Sequence, residues 1–382
     1  GDFGLLTSFY YFAYAPMQLP VGMSVDRIGA RRSLIFSCVI SIVGIIIFAY
    51  FKSFSIALLG RFMVGFGAAF AYVTALKLAA IWLPRQYFAT ATGMVTGFGM
   101  VAAIFTDMYL THVIKLQGFK FALYSPLCIG VVLVFLIMLV VRDKPRQPPA
   151  DDVAVHEEKH ALNFKQLKNY LALMVRNPQM WLIGVVGALL YMPSSVFLDV
   201  WAIPYLRYVH HLSPEDAALG VSVMLAGWIC SSFFSCAISD VFGSRKIPLV
   251  LASFTATVIA SIILFDNKLS FLALYILLFS FGLACGPHPL CFTLSKENNS
   301  HKISGTAVAF ANFLIMMGGF IFQPVVGNAL DWLWSGGMQN GIRMYSNAHY
   351  TMALSILPIG LLISGILTLF IKETYKRSYI RE

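Results

Sequence analysis

Long apolar stretches, each separated from the next by a polar gap, run along almost the whole chain. About 20 consecutive apolar residues are needed for a helix to cross the hydrocarbon core of a bilayer. The pattern therefore predicts an all-α polytopic membrane protein. Eleven stretches are long enough to be such helices: 4–23, 33–51, 55–83, 88–114, 121–141, 179–207, 215–238, 247–265, 269–294, 303–334 and 349–371.

One polar stretch is much longer than the others and separates five predicted helices from six. We therefore predict an N-terminal helical bundle over 1–142, a linker over 143–178 and a C-terminal helical bundle over 179–382. Part of the linker has apolar residues at helical spacing with basic residues around them, which predicts an amphipathic helix on the inner membrane face. The alternative is a connector that keeps the two halves in register. The apolar positions are Phe164, Leu167, Leu171 and Met174.

Composition supports a membrane protein and excludes several other classes. Of 382 residues, 59% are hydrophobic and 12% are charged, and the mean hydropathy is +0.77. A soluble domain carries about 25% charged residues. The six cysteines show no CxxC spacing, so neither a disulfide framework nor a zinc site is indicated. We found no Gly-rich nucleotide-binding loop, and we expect no cofactor, no metal and no nucleic-acid partner.

The positions of the basic residues predict how the chain crosses the membrane. If the first predicted helix runs toward the cytoplasm, the inner loops and tail hold 19 of the 27 lysines and arginines, and the outer ends hold six. The other two, Arg61 and Lys77, lie inside helices. Cytoplasmic loops are enriched in basic residues. We therefore expect a cytoplasmic C-terminus, and an inner (plasma) membrane location fits the low charge and short loops.

A short motif occurs twice, each time between two apolar stretches. Residues 22–32 read Gly-Met-Ser-Val-Asp-Arg-Ile-Gly-Ala-Arg-Arg, and residues 239–246 are a reduced copy. The aspartates of the two copies, Asp26 and Asp240, are 214 positions apart. Internal repetition of hydrophobic segments is typical of secondary transporters. Two halves built on one plan are therefore predicted.

The repeated motif resembles the signature loops of the major facilitator superfamily. The run 22–32 resembles the loop between helices 2 and 3 of that family, and 239–246 resembles its second copy, between helices 8 and 9. The run 61–67 (Arg-Phe-Met-Val-Gly-Phe-Gly) resembles a further motif in helix 4. Family members usually have twelve helices, so we expect helix 1 to be missing here. The Gly-Pro motif of helix 5 in proton-driven drug exporters is absent.

The resemblance implies a gate on the cytoplasmic side. In the family, the loop aspartate meets a helix N-terminus and nearby arginines when the protein is open to the outside. A basic cluster that serves only to orient the chain is the alternative. The gate candidates are Asp26, Arg27, Gly29, Arg31, Arg32, Asp240, Gly243 and Arg245.

Ionisable residues inside a membrane helix are costly, so each is a candidate for function. Arg61 either binds a substrate anion or couples to a carboxylate, or else forms a structural salt bridge near the outer surface. Lys77 lies about 160° around the same helix and either faces the substrate or extends to the inner surface. Asp107 lies toward the outer end of its helix, where a polar rim also explains it.

Two further candidates lie beside prolines. Asp199 follows Pro193 in helix 7, where a kink is expected. Buried among apolar side chains, Asp199 suits a substrate or proton site; alternatively it lies near water and pairs with Arg207. His288 stands between Pro287 and Pro289, where we expect irregular backbone facing a cavity, although a simple helix-end histidine is the alternative. Polar and aromatic candidates for the same cavity are Tyr14, Gln18, Tyr72, Tyr191, Trp201 and Asn312.

Taken together, the residues and the resemblance predict a monomeric secondary active transporter, not an enzyme. Its partners would be a small polar organic solute, protons and the lipid bilayer. An anion or zwitterion is favoured because basic groups outnumber acidic ones in the helices, and proton-coupled symport by alternating access is expected. The alternatives are proton-driven efflux of an amphipathic or cationic compound, and a ligand sensor on the same fold that does not transport.

Overall fold

The protein is described by a computed structural model in which the described residues are almost all helical. These are residues 9–10, 12–14, 16–18, 20–21, 24–25, 28–51, 53–83, 88–143, 164–266, 268–300, 303–339 and 342–375. Every described residue from 9 to 28 is helical. The remaining helices are α1 (Ala30–Tyr50), α2 (Phe54–Trp82), α3 (Phe88–Gln117), α4 (Phe119–Val140), α5 (Phe164–Arg176), α6 (Pro178–Met192), α7 (Ala202–Tyr208), α8 (Pro214–Phe242), α9 (Lys246–Phe265), α10 (Phe271–Cys285), α11 (Leu290–Glu297), α12 (Ser304–Leu333), α13 (Asn347–Leu354) and α14 (Ile356–Thr368).

Nine helical spans in the described part of the chain are long and apolar enough to cross a membrane. They coincide with predicted segments, and a further apolar stretch, Thr90–Thr106, coincides with the predicted helix at 88–114. The all-α polytopic fold is therefore confirmed. The predicted helix at 4–23 falls partly outside the described residues. A short antiparallel hairpin, β1 (Met338–Gln339) and β2 (Ile342–Arg343), was not predicted.

Two predicted helices contain the distortions that their prolines indicate. Between α6 and α7, residues Pro193–Trp201 form a π-helix, so the predicted helix at 179–207 is continuous but widened. Proline removes a backbone hydrogen bond, and π-helical turns are frequent at functional sites. Between α10 and α11, residues 286–289 form a turn, which confirms the irregular backbone expected around His288.

The chain divides into two compact units. The first unit comprises Gly1–Val95, Val101–Asn177 and Asn299–Phe313, and the second comprises Thr96–Met100, Pro178–Asn298 and Leu314–Glu382. The division into two bundles and a linker at 142 and 178 stays a prediction.

Each unit contains a pair of helices packed backbone to backbone through glycine. In the first unit, a Cβ on Gly44 of α1 would lie 2.8 Å from the carbonyl oxygen of Gly60 on α2, and the reverse approach is equally close. In the second unit, a Cβ on Gly227 of α8 or on Gly282 of α10 would overlap the backbone of the other helix. Such close approach is how membrane helices gain packing energy in lipid. Each unit therefore contains one pair of helices in close backbone contact.

Candidate functional site

The first copy of the repeated loop ends in a helix N-terminus that is capped by a carboxylate. Gly29 has φ +87° and immediately precedes α1. The backbone N–H of Arg31 donates to Oδ1 of Asp143 at 2.9 Å, and the Arg31 guanidinium donates to the carbonyl of Met138. A Cβ at Gly29 would lie 2.8 Å from the Asp143 carboxyl group. Glycine is therefore needed here for both the backbone angle and the approach of Asp143.

The second copy also has a carboxylate at a helix N-terminus, and this carboxylate accepts more hydrogen bonds. Gly243 has φ +60°, and Glu373 accepts hydrogen bonds from the backbone N–H of Arg245 at 3.0 Å and of Lys246 at 3.1 Å, as well as from the Ser244 hydroxyl. A carboxylate at a helix N-terminus satisfies unpaired N–H groups and the helix dipole. Burial raises the pKa of Glu373, but the hydrogen bonds from Ser244 and from backbone N–H groups outweigh it and hold that pKa below its usual range.

Arg245 ties the capped loop to two other elements. Its guanidinium forms a salt bridge with Glu297 at the end of α11 (3.3 Å) and donates to the Ser239 hydroxyl on α8 (3.1 Å). It also lies 5.0 Å from the ring centre of Tyr375, and the Thr374 hydroxyl donates to Glu297 at 2.5 Å. Arg245 is 7% exposed. This buried cluster holds α8, α11 and the segment after α14 together.

The predicted gate residues are only partly described. Asp26 and Arg27 lie outside the described residues, and Asp240 lies on α8 with its side chain outside them. Arg32 is exposed in the first turn of α1. The sequence analysis missed the three carboxylates that contact the loops, Asp143, Glu297 and Glu373. One signal was available for two of them, because a basic–acidic pair follows the last helix of each half, at 142–143 and 372–373.

Arg61 on α2 lies against an aromatic ring. Its guanidinium carbon is 5.3 Å from the ring centre of Phe48 on α1, and its buried Nε has no hydrogen-bond partner. A cation over a ring face is stabilised, more so where water is excluded. Tyr72 and Lys77 are half-buried on α2, and Asp107 lies on α3, where only its backbone is described.

Of the two alternatives for Asp199, the structure has the one without burial, and its role stays a prediction. Asp199 is exposed, as is Val200, whereas the preceding part of the π-helix is buried as far as Phe197. The buried part of the π-helix thus ends before Asp199. Trp201 is half-buried with an unpartnered indole Nε1, and Gln323 donates to the backbone carbonyl of Ser195 at 2.5 Å.

Three of the predicted cavity residues meet in the first unit. The side-chain amide of Asn312 donates to Oε1 of Gln18 at 2.7 Å, and both residues are buried. The Tyr14 hydroxyl lies near both amides, and its ring stacks on that of Tyr10 with 5.7 Å between the ring centres. The buried Nε2 of Gln18 has no hydrogen-bond partner. We call these three residues the amide cluster (Tyr14, Gln18, Asn312).

In the second unit, the turn between α10 and α11 places His288 among aromatic rings. Its ring centre lies 5.0 Å from that of Tyr191 on α6, 6.3 Å from that of Trp228 on α8 and 5.4 Å from that of Phe292 on α11. His288 is 3% exposed, and neither ring nitrogen has a partner. The indole Nε1 of the fully buried Trp228 is also unpartnered. We call these four residues the aromatic box (Tyr191, Trp228, His288, Phe292); Trp228 and Phe292 were not among the predicted residues.

Comparison with known proteins decides the family. The sequence profile of the Major Facilitator Superfamily matches residues 1–323. The chain belongs to the Major Facilitator Superfamily. As a member of that family it is a multi-pass membrane transporter of small molecules and not an enzyme, which confirms those predictions.

The chain is also similar to several named transporters. The chain is 25% identical to the glycerol-3-phosphate transporter of Bacillus subtilis, with 88% of this chain and 80% of the relative covered. It is 22% identical to the probable sulfoacetate transporter SauU of Cupriavidus necator, over 65% of this chain and 58% of that one. The solved structure of the E. coli fucose:proton symporter FucP superposes with a TM-score of 0.72 and 16% identity, covering 97% of this chain and 91% of that one. That likeness establishes the shared fold.

Proposed function

We propose that this superfamily member is a proton-coupled symporter that moves a small organic anion or zwitterion by alternating access. The aromatic box carries the proposal. His288 is almost fully buried, and both of its nitrogens are unpartnered. Leaving a buried polar group unpaired costs about 1–3 kcal/mol, so a ligand that pairs with it gains correspondingly.

Burial of His288 links a proton to an anion. A neutral imidazole tolerates a buried aromatic site, but an isolated imidazolium there is costly. An anion bound beside the ring pairs with the charge, and a charge-assisted hydrogen bond is roughly twice as strong as a neutral one. Proton and anion therefore favour each other's binding, which is the thermodynamic requirement for symport. The Trp228 indole N–H supplies a further donor to the same ligand.

Two further observations favour an anionic solute. The relatives named above are described as transporters of glycerol 3-phosphate and of sulfoacetate, both of which are anions. The cation inside α2, Arg61, has an unpartnered Nε.

Thermal stabilisation of the purified protein tests the proposal. A ligand that binds only the folded state raises its apparent stability. We would compare glycerol 3-phosphate, sulfoacetate, an amino acid, a neutral sugar and a lipophilic cation at about pH 5.5 and pH 7.5. We expect one anionic or zwitterionic class to stabilise the protein, and more strongly at the lower pH. Stabilisation by lipophilic cations alone would contradict symport and favour efflux.

The variant His288→Gln separates the role of the proton from that of the binding site. Glutamine keeps hydrogen-bonding groups but does not take up a proton, so we expect anion affinity at low pH to fall about tenfold, ~1.4 kcal/mol. The remaining stabilisation should no longer depend on pH. His211→Gln, at an exposed position after α7, is the control. Equal pH dependence in wild type and His288→Gln would remove His288 from the coupling mechanism.

The repeated loops would act as the cytoplasmic gate of this cycle. Alternating access needs two states of similar free energy, each held by contacts that the other lacks. Asp26 and Asp240 are the loop acids, and the capped helix ends at Arg31 and Arg245 lie directly after them in sequence. We expect Asp26→Asn to leave the amount of protein in the membrane unchanged and to reduce transport. Unchanged uptake at equal expression would contradict this role.

The proposed location is the plasma membrane, with the C-terminus in the cytoplasm. The basic loops and the segment after α14 would then lie on one side, as the distribution of lysine and arginine predicts. Cysteine accessibility from each side of intact cells tests this, with a cysteine introduced at the exposed Lys372.

A further inference from the structure

Side chains from other parts of the second unit hold the C-terminal end of α9. The last carbonyls of a helix have no partner within that helix. Here the Ile263 carbonyl accepts a hydrogen bond from the hydroxyl of the buried Tyr205 on α7 at 2.8 Å. The imidazole of His210, which follows α7, lies near the Ile263 carbonyl as well. The Thr351 hydroxyl of α13 lies 3.3 Å from the Leu264 carbonyl oxygen. We call Tyr205, His210 and Ile263 the α9 junction.

The backbone after α7 holds the His210 ring against Tyr205. The Val209 N–H donates to the Tyr205 carbonyl at 2.9 Å, and the Leu212 N–H returns to the Leu206 carbonyl at 3.2 Å. The rings of His210 and Tyr205 meet edge to face, with 5.4 Å between their centres and 70° between their planes. The packing of the imidazole therefore depends on a turn that two backbone hydrogen bonds close.

The two nitrogens of His210 have different surroundings. Nε2 is buried and has no hydrogen-bond partner among the described residues, so Nδ1 is the nitrogen on the side of Ile263. A carbonyl oxygen accepts and does not donate, so a neutral imidazole carries its proton on Nδ1. A second proton would go to Nε2, where no acceptor awaits it. A buried donor without an acceptor is costly, and more so when it is charged.

The titratable groups around the ring do not reverse this preference. Tyr205 of α7 faces the imidazole, His211 adjoins it in the same turn, and Asp266 follows α9. From α13, Tyr350 packs on Tyr205. Burial lowers the pKa of His210, and so does His211, and the nearby carbonyl and Asp266 do not outweigh them. His210 is therefore neutral in the folded protein at neutral pH.

We propose that the α9 junction is a pH-sensitive contact, which is closed while His210 is neutral and opens when His210 takes up a proton. A hydronium ion gives its proton to Nε2, where an N–H bond forms, and a water molecule is left. The charged ring then leaves its buried position beside Tyr205. Because α7 continues directly from the π-helix Pro193–Trp201, opening frees the end of that segment.

The α9 junction lies at the opposite end of α9 from the Arg245–Glu297 pair. The helix has 20 residues and is therefore about 30 Å long at 1.5 Å per residue. With the repeated loops in the cytoplasm, the α9 junction faces the outside, so an acidic exterior would loosen it. No solute takes part in this contact, and only its assignment to the outer side rests on the proposed orientation.

Amide hydrogen exchange of the purified full-length chain in nanodiscs measures the opening. The exchange rates of the Val209 and Leu212 N–H groups, each divided by the intrinsic rate at the same pH, are compared at about pH 7.5 and about pH 5. The pKa of His210 is lowered in the closed junction, so the closed state is most stable above about pH 6.5 and loses stability as pH falls. We expect these normalised rates to rise at least about threefold in wild type at the lower pH.

Two variants show which imidazole is responsible. His210→Phe keeps a ring beside Tyr205 and takes up no proton, so its normalised rates should be equal at both pH values. His211→Asn changes the exposed neighbour, whose φ of +55° asparagine also adopts, and should keep the rise seen in wild type. Equal rates at both pH values in wild type, or an equal rise in His210→Phe, would overturn the pH-sensitive contact.

A second measurement needs no variant, in case His210→Phe does not fold. The exchange rate of the imidazole C2 hydrogen in D₂O, followed by mass spectrometry over a series of pH values, gives the pKa of His210 in wild type. We expect a value below about 6.5, the ordinary one for histidine. A value at or above it would overturn the contact. Failure of every anion to stabilise the protein would overturn the proposed function and leave both of these results unchanged.

Discussion

Both copies of the repeated loop end at a helix N-terminus that a carboxylate caps, but the two caps differ in burial and in the number of their contacts. In the first unit, Asp143 accepts a backbone hydrogen bond from Arg31 at the N-terminus of α1, and both residues are exposed. In the second unit, Glu373 caps α9 through two backbone N–H groups and a hydroxyl, and the adjoining Arg245 is buried against Glu297. Both loops thus have a helix N-terminus capped by a carboxylate. Because the second cap adjoins a buried ion pair, we expect it to contribute more to the free energy of unfolding.

The largest expected effect comes from breaking the buried ion pair. Arg245→Met removes the partner of Glu297 and two further contacts, and removing one member of a buried pair costs about 3–5 kcal/mol. We expect a large fall in the denaturation midpoint of the purified protein. The matched change in the first unit, Arg31→Met, removes an exposed side chain and should cost under about 1 kcal/mol. Equal losses in the two variants would contradict the comparison.

Replacing the loop glycines by alanine should cost more stability in the first unit than in the second, the opposite of the order expected for the arginine variants. Gly29 has φ +87° and ψ 160°, a region almost restricted to glycine, and its Cβ would contact Asp143. Gly29→Ala should cost about 2–3 kcal/mol. Gly243 has φ +60°, and its Cβ would meet only Tyr375 at 3.4 Å, so Gly243→Ala should cost about 1–2 kcal/mol. Thermal unfolding of both variants in the same detergent checks the order.

Loss of the second cap should show a defined pH dependence. Glu373→Gln removes the charge that the N-terminus of α9 favours and should cost about 1–2 kcal/mol at neutral pH. The pKa of Glu373 is lowered in the folded protein, so its stabilisation is fully present above the unfolded value of about 4.3 and is lost as pH falls through the folded value.

The difference between wild type and Glu373→Gln should therefore be constant above about pH 5 and narrow below about pH 4. Melting curves at a series of pH values measure it. A difference that instead grew on acidification would show that Glu373 is protonated in the cap.

The smallest effect is expected for the first cap. Asp143→Asn keeps an oxygen that accepts from the Arg31 N–H, and the site is exposed, so we expect a loss of about 0.5–1 kcal/mol. The same melting assay applies, with Asp266→Asn, at the exposed end of α9, as the control. A loss as large as that of Glu373→Gln would mean that exposure does not weaken the first cap.

Several features of the fold could be predicted because they depend on neighbouring residues alone. The lengths of the apolar stretches predicted the membrane helices, since the thickness of a bilayer sets the length of a crossing. Pro193, Pro287 and Pro289 predicted distorted backbone, since proline removes a helical hydrogen bond wherever it occurs. The repeated loops indicated the superfamily, which the matching profile over residues 1–323 confirmed.

The candidate sites could be predicted only in part. His288 and the three residues of the amide cluster could be singled out as candidates because polar groups inside apolar helices are conspicuous. Trp228 was missed because an indole on an apolar helix is indistinguishable from a core residue until its N–H is known to be unpartnered. For Asp199 the sequence left a buried and a water-exposed position open, and only the structure shows the carboxylate exposed at the end of the π-helix.

The sequence by itself therefore determined which segments cross the membrane, where two of them are distorted, and that the two halves share a plan. Tertiary structure alone decided the partners: Asp143 for Arg31, Glu297 and Glu373 for Arg245, and Trp228 for His288. Helix formation depends on residues within a turn of one another. By contrast, the carboxylates that bond Arg31 and Arg245 are 52 to 128 positions away from them along the chain. Only the packing of one helix against another brings them together.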